Sequence, residues 1–241
     1  MTEYLKRVYG GTREEFFSLL AGRLADENKT FIVTANPEVL MNGGSNAEYG
    51  SLLLDESTLI TPDGIGVVKA ASAAGIPVKE RITGVDIVTE LLRIGSEKGL
   101  SVYFYGAKPE VLSALAAVIK KDYPGITVAG MRDGYSNDDE AVFDDIAAKK
   151  PDITVVALGV PRQELLIYRQ LARFSKGVFI GAGGSLDVIS GTKKRAPEFF
   201  IRHNCEWLYR IVTEPSRLRR FINGNVRFVF KIKKETKEVQ K

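Results

Sequence analysis

The chain has 241 residues, enough for one sizeable α/β core with an appendage. At 44% hydrophobic and 27% charged it is globular rather than disordered, and its single cysteine, Cys205, excludes an internal disulfide. Its single histidine, His203, excludes a histidine-rich metal site and a Ser-His-Asp triad in the sheet. The net charge of +4 is unevenly spread: residues 193–241 hold 14 Lys/Arg against 5 Asp/Glu, so the rest of the chain is net acidic.

In chain order, the start "MTEYLKRVYGG" lacks the apolar core of a signal peptide, and no run reaches the roughly 18–20 apolar residues needed to span a bilayer. "TREEFFSLLAGRLADE" (12–27) reads as a helix with an acidic first turn. "FIVTAN" (31–36) is a strand running into a Pro-Glu helix start. "STLIT" (57–61) is the next strand, ended by Pro62 and turned by Asp63-Gly64. "GVDIVTELLRIGSEKG" (84–99) is a helix that Gly99 stops. Strands "LSVYFYG" (100–106), "ITVAG" (126–130), "ITVVALG" (153–159) and "GVFIGAG" (177–183) then alternate with helical stretches beginning at Pro109, Asp138 and Arg162. Most strands are continuously apolar, as in parallel strands covered on both sides. The expected fold is therefore α/β: a doubly wound, mainly parallel sheet with helices on both faces.

The pattern changes near residue 193, which predicts a core over 1–195 and a basic helical appendage over 196–241. Two helices are expected in it, about 197–213 and 215–234, with "VRFVFKI" also readable as a strand. On a helix over 217–234, Leu218, Phe221, Ile222, Val226, Phe228, Val229 and Ile232 share one broad side. Arg220, Arg227, Lys231 and Lys234 lie opposite. Such a basic amphipathic helix suits an anionic membrane surface, and its geometry also fits docking on the protein's own core, but the net charge favours the membrane.

Polar residues collect where the strands end. Thr34 and Asn36 can donate to a sugar hydroxyl or carbonyl, and Asn36 before Pro37 also suits a helix cap. Asp63 can be a turn residue, a metal ligand or a base for an attacking hydroxyl. Arg81 can reach a phosphate near the sheet edge, and Thr83 with Asp86 forms a capping pattern. Gln163 in "ALGVPRQE" can donate and accept, as a uracil edge or a sugar amide requires, or can simply belong to an exposed first turn. Gly181, Gly183 and Gly184 in "GAGGSLD" can form a backbone nest for phosphate. Neither G-x-G-x-x-G nor the phosphate-loop motif G-x-x-x-x-G-K-[ST] is present, which disfavours a P-loop nucleoside triphosphatase. No DxD pair stands at a strand end, so the sequence requires no metal and no cofactor. The acidic core offers no extended basic face for nucleic acid.

The stretches "TANPEVL", "TPDGIGVV", "ERITGVD", "YGAKPE", "VALGVPRQE", "GAGGSLDVISGTKKRAP" and "EWLYRIVTEPSRLRR" together resemble the WecG/TagA/CpsF family of bacterial glycosyltransferases over nearly the whole chain. The resemblance implies sugar transfer from a nucleotide sugar to a polyprenyl-diphosphate-linked sugar. The expected location is peripheral, on the cytoplasmic face of the bacterial plasma membrane. In the teichoic-acid branch the donor is UDP-N-acetylmannosamine. The acceptor is N-acetylglucosamine on undecaprenyl diphosphate, and a β-1,4 bond forms with inversion. Other members use other UDP-hexoses or the mannosaminuronic acid. By the same resemblance Asp63 is the base, Thr34 and Asn36 are an active-site polar pair, and Gln163 and Arg81 line the pocket. Arg210, Arg217 and Arg220 are tail arginines, some of which meet diphosphate. The implied partners are the UDP-sugar, the lipid-linked acceptor, the anionic membrane and a second copy of the chain. Where the family commonly has Gly-Leu before "EWLYR", this chain has Asn204-Cys205. The competing reading is a soluble nucleotide-binding protein whose basic tail contacts a partner.

Overall fold

The computed structural model describes residues 1–135, 138–203, 205–213, 215, 218 and 227–239. Six strands form one sheet: β1 (Thr30–Ala35), β2 (Thr58–Pro62), β3 (Ser101–Gly106), β4 (Thr127–Arg132), β5 (Ile153–Ala157) and β6 (Val178–Gly181). Their order is β2-β1-β6-β5-β3-β4, and every neighbouring pair is parallel. All six coincide with the apolar runs of the sequence to within a few residues.

A parallel sheet needs both faces covered, and side chains alternate between them. Along β1, Phe31, Val33 and Ala35 enter one apolar cluster while Ile32 enters the other. The first face is covered by α1 (Thr2–Lys6), α3 (Pro37–Ser45), α4 (Ala47–Leu54), α5 (Ile65–Ala73), α8 (Asp139–Lys149) and α9 (Arg162–Gln170). The second is covered by α2 (Arg13–Ala25), α6 (Gly84–Lys98), α7 (Pro109–Asp122) and α10 (Ser185–Ile189). Local signals set the helix ends. Thr12 and Glu15 form a reciprocal capping box on α2. The Asn36 side chain accepts from Val39 N–H at 3.0 Å to start α3. Thr83 caps α6, and Gly99 ends it in the left-handed conformation at φ +67°.

The appendage departs from expectation in two ways, while the helix expected over "VRFVFKI" is borne out. The single helix expected over 197–213 is two, α11 (Glu198–Arg202) and α12 (Glu206–Thr213). Between them the Cys205 N–H turns back to the Phe200 carbonyl at 2.7 Å, and Phe200 packs on Tyr209 with ring centroids 5.5 Å apart. The strand alternative for "VRFVFKI" gives way to a helix, α13 (Arg227–Val239). The apolar residues of α13 also do not share one fate. Phe228 is 0% exposed and Ile232 is buried, both within the first-face cluster, whereas Val229 and Phe230 face outward, Phe230 at 70%. Docking on the core therefore claims part of the side expected to be amphipathic. Glu235 completes the dock by accepting from Thr2 N–H at 3.0 Å and Thr2 Oγ1 at 3.1 Å, at the start of α1. The remainder of the helix expected over 215–234 lies largely outside the described residues. Among those residues no helix is long and apolar enough to cross a membrane.

This docking sets apart two phenylalanines two positions apart. Phe228→Ala is expected to destabilise the protein by about 3 kcal/mol through the cavity it leaves. Phe230→Ala is expected to stay within about 0.5 kcal/mol of the parent. Denaturant unfolding of both variants checks this, and equal effects would contradict the docking.

Candidate active site

In open parallel sheets, ligands bind beyond the carboxyl ends of the strands, where adjacent strands send their connections to opposite faces. β1 and β6 are such neighbours. β1 leads into α3 on the first face, and β6 leads into α10 on the second. Thr34 stands at this crevice, with its Oγ1 3.5 Å from the Gly181 carbonyl. The start of α6 closes in from the side: a Cβ on Gly84 would lie 3.1 Å from Ser185 Oγ and 3.5 Å from Thr34 Cγ2.

Asn36 and Asp63 extend the same edge. The β1–β2 register pairs Ala35 with Pro62, and Asp63 N–H donates to the Ala35 carbonyl at 2.9 Å. Both side chains are half-buried. The Asn36 cap uses only its oxygen, which leaves the amide nitrogen to face a ligand. Capping and ligand contact, posed as alternatives by the sequence, are thus compatible in one side chain. The chain returns beside Asp63 when Ile82 N–H donates to the Pro62 carbonyl at 2.9 Å, which brings Arg81 to the same corner.

Arg81 reaches toward the appendage. Its guanidinium pairs with Glu206, the first residue of α12, at 2.6 Å, with the two side chains 14% and 9% exposed. This shielded ion pair links the corner beside Asp63 to the start of α12, and removing either partner would leave the other charge without this compensation. A second arginine does similar work nearby: Arg195 donates to Asp86 Oδ1 at 2.8 Å, while Asp86 Oδ2 accepts from Thr83 Oγ1 at 2.7 Å. The stretch after α10 is thereby pinned to the first turn of α6.

Gln163 is buried, and its amide is occupied within the protein. Oε1 accepts from Gly159 N–H and Gly183 N–H, each at 3.0 Å, and Nε2 donates to Glu164 Oε1 at 2.6 Å. The side chain spans the loops that follow β5 and β6. In the glycine loop, the amides of Ala182, Gly183 and Ser185 bond to Val156 O, Gln163 Oε1 and Ala182 O. Gly181 is needed for packing, since a Cβ there would meet Gln163 Nε2 at 2.8 Å. Gly183 and Gly184 border open space instead, with nothing nearer to their Cβ positions than Asp187 Oδ2 at 4.0 Å. Residues 217 and 220 and the side chain of Arg210 lie outside the described residues.

The same edge carries a feature that sequence reasoning missed. A cleft of about 480 Å³ opens at the end of β4, lined by Arg132, Asp133, Tyr135, Asp138, Ala141 and Val142. Its volume falls within the usual range for small-molecule sites, and Tyr135 stands 66% exposed at its mouth. Asp139 secures the wall behind it by accepting from Tyr105 Oη and from Arg162 at 2.8 Å. Burial and the Asp139 carboxylate push the Tyr105 phenol well above its ordinary range, so it remains a hydrogen-bond donor. The signal was a lone aromatic in the polar run "RDGYSNDDE". Among the described residues no three of His, Cys, Asp and Glu come together in a way that could hold a metal ion.

This crevice of half-buried polar side chains at the strand ends, with a second cleft three strands from β6 along the same edge, suits a protein that binds a nucleotide-linked substrate. The family model for the WecG/TagA/CpsF glycosyltransferases matches residues 5–241, and the chain belongs to that family. It is 45% identical over 209 residues to the N-acetylglucosaminyldiphosphoundecaprenol N-acetyl-β-D-mannosaminyltransferase of Bacillus spizizenii, covering 86% of this chain and 81% of the relative. The enzymes of the same name from Bacillus subtilis and Staphylococcus aureus are 41% and 36% identical. Those matches cover 80% and 89% of this chain, and 75% and 84% of the relatives.

Proposed function

We propose that this chain transfers N-acetylmannosamine from UDP-N-acetylmannosamine to N-acetylglucosamine on undecaprenyl diphosphate, forming a β-1,4 bond with inversion, as in assembly of the wall teichoic acid linkage unit. The observation that carries this reading is 45% identity, over 86% of the chain, to a transferase named for that reaction.

In this reading the acceptor hydroxyl attacks the anomeric carbon of the donor as the bond from that carbon to the β-phosphate oxygen breaks. Asp63 takes the hydroxyl proton, and UDP leaves with the bonding electrons. A positioned base supplies about 10²- to 10⁴-fold to such a step. Thr34 and the free amide nitrogen of Asn36 orient the sugar. The diphosphate lies along Gly183 and Gly184, where the loop borders open space, with Arg81 at the corner to offset its charge. Gly181 and Gln163 shape that loop from within. Tyr135 offers a stacking face for the base at the cleft beyond. Some of the tail arginines Arg210, Arg217 and Arg220 serve the acceptor diphosphate.

The appendage also brings the enzyme to its lipid-linked acceptor on the inner face of the plasma membrane. Its excess of Lys/Arg supports this, as do the outward-facing Phe199, Trp207, Leu208 and Val212 on α11 and α12. Each basic residue near an anionic leaflet contributes about 1 kcal/mol.

Labelled UDP-sugars offered with lipid-linked N-acetylglucosamine test the activity directly. Transfer from UDP-N-acetylmannosamine is expected. Transfer only from another UDP-hexose or from the uronic acid would move the chain to a different branch, and no transfer by folded protein would favour the nucleotide-binding reading. In the same assay Asp63→Asn is expected to lower turnover by about 10²-fold with little change in donor binding. Near-normal turnover would remove Asp63 from the base role. Replacing Arg220, Arg227 and Lys231 together by Glu is expected to abolish binding to anionic liposomes at low salt. Binding equal to the parent would refute the electrostatic membrane role.

A further inference from the structure

Glu164 follows Gln163 in the first turn of α9 and is 1% exposed, yet the reaction scheme gives it no part. Its Oε1 accepts from Gln163 Nε2 at 2.6 Å. That contact holds the NH₂ end of the Gln163 amide in the orientation that the two glycine amides also require. The glutamine oxygen is thereby aimed at the Gly159 and Gly183 amides. A flipped amide would set NH₂ against two N–H donors and break three buried hydrogen bonds together.

We propose that Glu164 is a positioning residue for the transfer reaction: by orienting the Gln163 amide it fixes the spacing of the two glycine loops that frame the donor site. The proposal rests on placement of the donor diphosphate along Gly183 and Gly184. The chain of contacts runs from the loop to Gln163 and from Gln163 to Glu164.

The surroundings of the carboxyl disfavour its charged form. Burial raises it above the ordinary carboxylate range, and the nearby Glu38 on α3 adds to the rise. The Gln163 hydrogen bond, the residue's own N–H and Tyr49 on α4 pull the other way without overcoming burial. The second oxygen, Oε2, and the Tyr49 hydroxyl lie buried near one another, neither with a hydrogen bond of ordinary geometry. The contribution to stability from this raised carboxyl is complete below its unfolded value and is lost as pH rises through its folded value.

Steady-state constants for the parent, Glu164→Ala and Glu164→Gln test the proposal, together with hydrogen exchange at the Gly159 and Gly183 amides. Glu164→Ala is expected to raise the donor KM about tenfold, the scale of one buried hydrogen bond, with kcat changed by less than about twofold. Exchange at both glycine amides is expected to accelerate. Glu164→Gln, whose amide copies the neutral acid, is expected to restore KM, slow exchange and the parent's pH profile. A folded Glu164→Ala with unchanged KM and exchange overturns the proposal. So does a Glu164→Gln variant as impaired as the alanine variant, because the charge would then be what matters. If the alanine variant fails to fold, the glutamine variant decides alone by its KM and pH profile. A parent that transfers no sugar refutes the donor reading instead, and exchange at the two amides still judges the bridge.

Discussion

Two neighbouring parallel strands, β1 and β6, send their connections to opposite faces of the sheet, and the crevice this opens is the constraint on which the site depends. Both faces must be covered for the apolar strands to be buried. No helix can cover the line along which the coverings part. Thr34, Asn36, Asp63 and the Gly181–Gly184 loop are side by side because each lies within a residue or a few of a strand end along that line. The polar side chains stay half-exposed there while the strand residues just before them are buried.

What keeps the crevice in shape is a small set of buried polar contacts. Gln163 ties the β5 loop to the β6 loop, and Arg195 ties the stretch after α10 to α6. Arg81 ties the corner beside Asp63 to α12. Each links segments far apart in sequence, so the loss of either partner leaves a polar group buried without its match. In the proposed reading, where Arg81 serves a phosphate, the Arg81–Glu206 pair would couple the seating of α12 to the charge offered at the crevice.

The strands and most helix starts were legible in the sequence because their signals are local. Apolar runs of five or six residues, the Thr12–Glu15 box, Asn36 before Pro37 and Gly99 each act within one turn or one strand. That the candidate residues gather at one edge of the sheet was legible too, since it follows from the strand–helix alternation. Less legible was what depends on partners distant in the chain. Nothing near Arg81 announces Glu206, and nothing in "RQE" says that Gln163 faces inward to two glycine amides. The appendage misled for the same reason. Its period of 3.6 correctly gives an apolar side on α13, but periodicity cannot say whether that side meets a leaflet or the cluster around Leu5 and Val67. Phe228 and Ile232 took the core, and among the described residues the outward apolar side chains include Val229 and Phe230 of α13 as well as those of α11 and α12.

The central claim is that the donor lies in the crevice between β1 and β6 at the carboxyl edge of the sheet. A crystal structure of the protein with UDP bound tests it most directly. The account predicts the diphosphate along Gly183 and Gly184, within reach of Arg81, and the uracil toward the Tyr135 cleft. UDP bound at the opposite edge of the sheet, near Asp152 and Lys176, would contradict it.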